Sequence, residues 1–469
     1  MKSKFLVLGL LFSISAQAMN IDWTGLYRFE WFELDKPTIS NPKGRKAYGL
    51  NYLSLKSKVI ASDGVTIVGR FNILTSEDSA YANSQLGQMW GSSSPMNSRS
   101  VHENSAYSSS MGGGLIKTSE LYLNVERENN GIVLGRAPFE FGLGMNFHAG
   151  RGEFDHWSTT RDLVAYKIIS GNISIMPMIA KVYQKSPAQG NTVTEEVLRI
   201  DYNNKDSKSV LAGQLVRRKA VKEALTGSTG GLLPVLPHAT QANNSMSVQD
   251  VNIYFERGWG NFTFKLEAGF LSGDTGLSSA ANESILFSAY GLATEFQFPN
   301  LSSNMYLNVK TGLASGDDRS TKDFEGYAFN KNYDVAMLLF NHRLGKADLF
   351  GTDYLKETST HDVHNSFDDE SVSNTFYLSP SLGYRWSEKI DLVNTLTYAQ
   401  VLINSTNVVD IKKELGLEWD IELVYKPTPN IKWVNQLGLL SPGSAFEANN
   451  ADFERGLNYG IGSRAAISF

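Results

Sequence analysis

Runs of about ten residues in which apolar and polar side chains alternate recur along the chain, a length that suits a tilted transmembrane strand. In 261–270, Phe262 and Phe264 fall on one parity, and Lys265 and Glu267 fall on the other. The same alternation runs through 65–73, 120–126, 250–256 and 413–426. A period of two is typical of a β-strand with one apolar and one polar face. The chain is therefore predicted to be all-β.

The connections between these runs alternate in length. Short connections lie at 62–64, 128–131, 257–260, 387–389 and 427–430. The predicted long loops, rich in Ser, Gly and Asn, are 75–116, 142–160, 219–245, 314–372 and 441–456. Short turns at one end and long loops at the other are typical of outer-membrane barrels. A soluble sandwich or propeller also has strands with one apolar face, but that architecture gives no reason for short and long connections to alternate.

Aromatic residues gather where the runs meet the short turns, at Trp23, Phe255, Trp259, Phe296, Trp386, Tyr425 and Trp433. Aromatic side chains at the ends of transmembrane strands are expected to form a girdle at the membrane–water interface. The chain ends on an alternating run whose last apolar residues are Ile467 and Phe469. We interpret this run as the strand that closes the sheet, with Phe469 as the residue through which the barrel assembly machinery engages the chain.

These patterns predict a single domain over 19–469, a transmembrane antiparallel β-barrel of about 18 strands, within a range of 16–20. Only a closed ring leaves no unpaired backbone edge in hydrocarbon. The choice of 18 over 20 depends on Tyr333–Phe340, which is apolar without alternation and is interpreted as part of a folded outer loop. A ring of this size generally leaves an aqueous channel.

The first 18 residues are predicted to be a Sec-type signal peptide. Lys2 and Lys4 precede a short apolar core, Phe5–Ile14, and Ala16 and Ala18 form the A-x-A site. The apolar core is too short to span a bilayer as a helix, and no later stretch is long and apolar enough to do so. Export to the outer membrane of a Gram-negative bacterium is the expected outcome.

Composition and motifs argue against several other functions. The chain has no cysteine, and its 43 basic and 48 acidic residues give a net charge of −5 without a basic block, so no nucleic-acid partner is expected. The nucleophile-elbow, P-loop and zinc-protease motifs are absent. An outer-membrane hydrolase using His156 beside Asp155 is a weak alternative. So is a metal site at His361 and His364. We expect no enzymatic activity, cofactor or metal.

The polar face of the strands carries both signs of charge, which suits a water-filled pore wall, because a dry interior leaves charges without solvation unless they pair closely. The alternative is an interior plugged by salt bridges and loops. The predicted pore-lining residues are Arg28, Arg70, Arg136, Asp155, Arg161, Asp162, Asp250, Lys265, Glu267, Lys310, Glu418 and Asp420.

One stretch resembles a known family. Gly135–Arg136 at the end of a strand is followed by a Gly-rich aromatic segment and then by Asp155, Trp157 and Arg161–Asp162. This arrangement resembles outer-membrane porins of the alginate-export-like type. The resemblance implies an 18-stranded barrel in which Arg136, Asp155, Arg161 and Asp162 line a pore for an anionic polysaccharide.

The sequence thus predicts a passive channel for small hydrophilic solutes or ions, with carbohydrates as one candidate class of solute. Outer-membrane lipid and lipopolysaccharide are the expected surroundings. The leading alternative is an adhesin- or receptor-like barrel with a closed lumen. Solute identity, ion selectivity and oligomeric state stay open.

Overall fold

The computed structural model describes residues 20–39, 44–74, 85–90, 116–184, 192–221, 241–242, 245–353, 370–406, 411–448, 453 and 456–469. The predicted signal peptide lies outside these residues, as do His361 and His364. Among the described residues, no helix is long and apolar enough to cross a membrane.

The described chain is almost entirely β-structure. The long strands are β1 (Asn20–Leu34), β2 (Lys46–Ser62), β3 (Val65–Leu74), β4 (Lys117–Glu126), β5 (Asn130–Pro138), β6 (Thr160–Ser170), β7 (Ile173–Gln184), β8 (Thr192–Asn204), β9 (Ser209–Ala220), β10 (Met246–Trp259), β11 (Phe262–Ser278), β12 (Ser284–Phe298), β13 (Met305–Ala314), β14 (Thr375–Ser387), β15 (Ile390–Val401), β16 (Glu414–Thr428), β17 (Ile431–Pro442) and β18 (Asn458–Ser468). Two-residue strands at Gln88–Met89 and Gln241–Ala242 extend β2 and β11 pairings. A single 3₁₀ turn covers Ser444–Glu447.

The sheet closes on itself, as the sequence predicted. Each long strand pairs antiparallel with its neighbours in the chain, and β1 pairs with β18 from Leu26 opposite Ser468 to Leu34 opposite Gly460. The backbone of Phe469 continues this pairing through two hydrogen bonds with Gly25. The described strands thus form a closed ring, in which they satisfy one another's backbone groups wherever they pair. The predicted 18-stranded antiparallel barrel is confirmed.

The predicted parity of the connections is confirmed at one end of the barrel, where β2–β3, β4–β5, β6–β7 and the five later pairs are joined by short turns. We name this the short-turn end and the opposite one the outer end. Most connections at the outer end are long, but β11 and β12 are joined by only 279–283.

The outer surface of the barrel is apolar. Leu134, Val164 and Ile179 are among many large apolar side chains that stay exposed, with Ile179 exposed to 68%. Such a surface is stable only in contact with lipid, so the barrel crosses a membrane. Trp259 and Trp386 stand exposed next to short turns, which fits the predicted aromatic girdle.

The hydrophobic core lies inside the ring. Two segments from the outer end fold into it: the first infolded loop (139–159) and the second infolded loop (315–353 with 370–374). Leu338, Leu339 and Phe340 in the second loop are buried, together with Phe350. Tyr333–Phe340 forms no strand, as predicted. It is packed into the interior because its apolar run needs a dry environment.

Candidate functional site

The two infolded loops meet inside the barrel. The backbone N–H of Asn330 donates to the carbonyl of Met145 at 2.6 Å. The Asn332 side chain accepts from the N–H of Trp157 at 3.0 Å and donates to the carbonyl of the same residue at 2.6 Å. These paired bonds join the loops into one obstruction across the lumen.

The first infolded loop is fastened to the wall by a carboxylate. Glu267 on β11 is fully buried and accepts hydrogen bonds from the backbone N–H groups of Leu143 (2.6 Å), Met145 (3.1 Å) and Asn146 (3.4 Å). Gly142 turns the chain here with φ +56°, and a Cβ at this position would meet the Glu267 carboxylate. Charge-assisted bonds to backbone N–H groups are among the stronger hydrogen bonds, so Glu267 fixes the position of this loop.

A second set of wall residues fastens the other side of the first loop. The guanidinium of Arg28 on β1 is buried between Glu30 at 2.7 Å and the carbonyl of Asp155 at 2.7 Å. Arg70 on β3 donates to the carbonyl of Gly150 at 3.0 Å. Gln85 donates to the same carbonyl at 3.0 Å and also contacts the Arg70 guanidinium. These cations therefore bind loop backbone instead of facing open water.

The second infolded loop is fastened to β16 by two carboxylates. Buried Glu418 accepts from the N–H groups of Leu338 (2.6 Å) and Leu339 (2.8 Å). Asp420 accepts from the N–H of Met337 at 3.1 Å. On β13, Lys310 donates to the carbonyl of Asp334 at 2.7 Å. The wall carboxylates thus accept the hydrogen bonds of backbone N–H groups in an apolar part of the loop.

Glycines in the wall provide the space for the second loop. Gly269 and Gly291 lie opposite each other on β11 and β12. A Cβ at Gly291 would lie 2.6 Å from the ring of Tyr327. On the far side Gly438 and Gly460 are also cross-strand partners, and a Cβ at Gly460 would lie 2.7 Å from Leu338. The loop rings and aliphatic chains occupy volume that larger wall residues would fill.

Toward the short-turn end the inner wall keeps partly exposed charges of both signs. Lys265 and Glu267 point to the same face of β11, but Lys265 is half-buried while Glu267 is covered. Other inward charges that stay partly accessible are Lys56, Arg199, Asp201, Glu256, Glu295, Lys310, Glu422, Lys432 and Arg464. Some of these charges also contact the loops, since Lys310 donates to the carbonyl of Asp334 and Arg199 donates to that of Glu140 at 2.8 Å. Charges that stay partly exposed are stable in contact with water, so this part of the inner wall suits a hydrated lumen.

The structure separates the predicted pore-lining residues into three groups. A buried group touches the infolded loops or the wall beneath them: Arg28, Arg70, Glu267, Glu418 and Asp420. A second group lies inside the barrel with partial exposure: Asp155, Arg161, Asp250, Lys265 and Lys310. Arg136 and Asp162 form the third group and point outward.

The outward position of Arg136 and Asp162 contradicts their predicted place in the pore wall. They are cross-strand partners joined by two bonds of 2.8 Å, and they share a face with the exposed Leu134 and Val164. The prediction assumed that polar side chains point inward. It fails here because the inner face of β5–β7 is itself apolar, where Ala137, Leu163, Ala165, Met178 and Ala180 pack with Phe139, Phe141 and Phe147 of the first loop.

Several residues of the site went unpredicted because they carry no charge. Gln85, Asn146 and Asn332 fasten the loops through amide groups. The wall glycines look like ordinary strand glycines in the sequence. Within the described residues, no group of three or more His, Asp and Glu side chains is arranged to hold a metal ion.

The fold and the lumen together define a class: a closed transmembrane β-barrel of the outer-membrane type with two loops folded into its interior. Solved structures support this class. The chain is similar to OccAB3 of Acinetobacter baumannii, with a TM-score of 0.51, 9% identity, and coverage of 96% of this chain and 99% of that one. It is also similar to OccK2 (OpdF) of Pseudomonas aeruginosa, with a TM-score of 0.50, 9% identity, and coverage of 96% and 98%.

At this level of identity the likeness shows the fold over nearly the whole chain. No protein-family model matches the sequence. No curated protein matches it either.

Proposed function

We propose that this protein is a passive channel for small hydrophilic solutes in the outer membrane of a Gram-negative bacterium. One observation carries the proposal: the inner wall of a membrane-spanning ring bears partly exposed charges of both signs, such as Lys56, Lys265, Glu256 and Glu295. Charges on this face need water, and water inside a lipid-embedded ring forms a path for polar solutes.

The infolded loops make this channel narrow. An unobstructed ring of this size has a wide aqueous lumen. Here the 139–159 and 315–353 segments meet in the interior and bury an apolar cluster there. The passage is therefore selective for solutes small enough to pass the loops. Carbohydrates are included in the proposed range. Of the residues that the resemblance to alginate-export-like porins implied for the pore, Asp155 and Arg161 lie inside the barrel.

The proposal includes the export route and the assembly route. Residues 1–18 serve as a Sec signal, and Phe469 engages the assembly machinery. The backbone pairing of Phe469 with Gly25 supports the second point, because it places Phe469 at the seam that closes the ring.

Single-channel recording of refolded protein in a planar bilayer tests the channel. We expect discrete current steps, smaller than those of an unobstructed 18-stranded pore, and a reversal potential in a salt gradient that reports the ion preference. A barrel that is inserted but silent in every recording would end the channel proposal.

A second candidate function is a surface-interaction barrel with a closed lumen. The observation that favours it is the dry cluster inside the ring, which includes Leu338, Phe340, Phe350 and Tyr377. The same recording separates the two, since a closed barrel passes no solute. A liposome-swelling assay with neutral sugars of increasing size provides a second readout, because only a channel shows a size cut-off.

A further inference from the structure

The outward face of β5–β9 carries a charged band at its outer end. The band contains four cations and two carboxylates: Arg136, Lys181, Arg217, Lys219, Asp162 and Glu196. Each residue lies on the lipid-facing side, because residues two apart on a strand share a face. Three of the cations come two residues after an exposed apolar side chain. The pairs are Leu134 and Arg136, Ile179 and Lys181, and Leu215 and Arg217.

The band crosses five neighbouring strands, with the uncharged Thr194 between Lys181 and Lys219. Arg136 lies opposite Asp162, which in turn lies opposite Lys181. Glu196 lies opposite Arg217, and Lys219 donates to the Glu196 carboxylate at 2.8 Å. With four cations against two carboxylates, the band has a net charge of +2 on a surface that is otherwise apolar.

The next two strands carry no cation at this depth. In register with Lys219 and Arg217, β10 has Ser247 and Gln249. Opposite these two residues, β11 has Asp274 and Ser272. Uncharged or acidic residues thus suffice at this depth on the strands beside the band. The cations of β5–β9 therefore need a reason beyond contact with the membrane surface.

A cavity lies at the β5 end of the band. The pairing of β4 with β5 stops at Leu121 opposite Arg136, so the two strands separate above this point. The space between them is a cavity of about 280 Å³, and its lining includes Lys117, Arg136, Arg161, Asp162 and Lys181. The eleven lining residues include four cations and one carboxylate. Arg136 is paired with Asp162, and Arg161 is paired from the inner side with Glu195. The excess of cations makes the cavity suited to an anion.

We propose that this band, with its cavity, binds the phosphate groups of an outer-leaflet lipid headgroup. Arg136, Lys181 and Arg217 each lie two residues beyond an exposed apolar side chain on the same face, which at roughly 3.3 Å per residue is about 7 Å. This distance reaches from the edge of the hydrocarbon into the headgroup region. Arg136 binds Asp162 through Nε and Nη2, and its remaining guanidinium N–H groups can donate to phosphate oxygens. Lys181 and Lys219 act as point charges, and Lys219 keeps its bond to Glu196. Anionic headgroups also reduce the repulsion among neighbouring cations. This site is independent of solute passage.

Binding of lipid A, a glycolipid with two phosphates, tests the site by native mass spectrometry of protein in detergent micelles. The test variant is R136Q/K181Q/K219Q. The matched control is K205Q/K208Q/K389Q, which removes the same charge from exposed positions at the short-turn end. We expect the test variant to bind lipid A about tenfold more weakly, and the control to differ by less than about twofold.

Two further arms identify the source of the phosphate. Dephosphorylated lipid A should bind the unmodified protein about tenfold more weakly, and millimolar inorganic phosphate should not displace lipid A. Equal binding by test and control variants, equal binding of the dephosphorylated lipid, or displacement by free phosphate would each overturn the proposal. Heat-modifiable migration on gels checks folding, and the single variants K181Q and K219Q replace the triple variant if it does not fold.

Discussion

At the scale of single residues, the interior is organised by buried carboxylates whose partners are backbone N–H groups. Glu267 accepts three such bonds, while Glu418 accepts two. A buried carboxylate is costly unless such donors surround it, and buried N–H groups are costly without acceptors. Each wall carboxylate therefore accepts the hydrogen bonds of buried N–H groups in one loop, and these N–H groups in turn offset the cost of burying the carboxylate.

Replacing Glu267 by Gln should loosen the first infolded loop. The amide NH₂ group cannot accept hydrogen bonds from the loop N–H groups that the carboxylate oxygen bound. Each charged hydrogen bond lost weakens the attachment of the loop by about 1.5–3 kcal/mol. We expect a larger single-channel conductance and more frequent current fluctuations in planar bilayers. The control is Glu256→Gln on β10, a half-buried wall carboxylate bonded to the Tyr254 hydroxyl. Equal traces for both variants would contradict the anchoring role.

Replacing Gly291 by Val should displace the second infolded loop. The added side chain enters the space of the Tyr327 and Phe329 rings, and overpacking of this kind costs about 1–3 kcal/mol. Protection of loop amides against hydrogen exchange should fall while that of the strands stays unchanged. Gly213→Val on β9 is the matched control, because no atom lies within 4 Å of a Cβ there. If both variants exchange alike, the ring contacts do not hold the loop.

At the scale of elements, the second infolded loop contains a cluster of acids outside the strands. Asp348 accepts from the N–H groups of Thr352 (3.1 Å) and Asp353 (2.9 Å). Burial, together with the neighbouring Asp353 and Glu370 carboxylates, raises the pKa of Asp348 to about 6. The protonated form is therefore favoured in the folded loop relative to the unfolded chain.

This raised pKa predicts a loop that is more stable in mild acid. A carboxyl with a folded pKa above its unfolded value contributes stability that is complete below about pH 4 and is lost as the pH rises through about 6. The change is at most about 3 kcal/mol. Hydrogen exchange of 337–353, corrected for intrinsic rates, should show stronger protection at pH 5 than at pH 7.5.

Asp348→Asn should flatten this pH dependence, whereas Asp206→Asn in an exposed turn should leave it unchanged. A pH dependence that persists in the Asp348 variant would place its origin elsewhere in the acid cluster.

At the scale of the whole molecule, the ring and its contents are separable. The wall depends on pairing between neighbouring strands, and Ala314 on β13 lies directly opposite Thr375 on β14. A short turn can therefore replace the 315–374 segment without breaking the ring. The loops are held by the wall, through Glu267, Glu418 and the wall glycines, whereas the strands are joined to one another by backbone pairing.

Deleting 316–373 in favour of a Gly-Ser turn should yield a folded barrel with several-fold larger conductance, since an unobstructed ring of this size is wide. Gel migration before and after boiling verifies the barrel, and planar-bilayer recording measures the pore. A folded deletion variant with unchanged conductance would mean that the second loop does not limit the passage.

The sequence by itself determined the ring. Alternation of period two, short turns at one end and an alternating final run at Ile467–Phe469 are local signals, and a sheet in lipid has only the closed solution. The same reasoning correctly kept Tyr333–Phe340 out of the strand count, since this segment does not alternate.

Only the tertiary structure decided what fills the ring and which way some charges point. Ala137 and Leu163 point into the barrel, where the first loop packs against them. Alternation alone could not show this, and so it could not show that Arg136 and Asp162 point to lipid. Whether Glu267 meets water or three backbone N–H groups likewise depends on a loop far away in sequence. Local periodicity reports only that a strand has two different faces, while the identity of each face depends on long-range contacts.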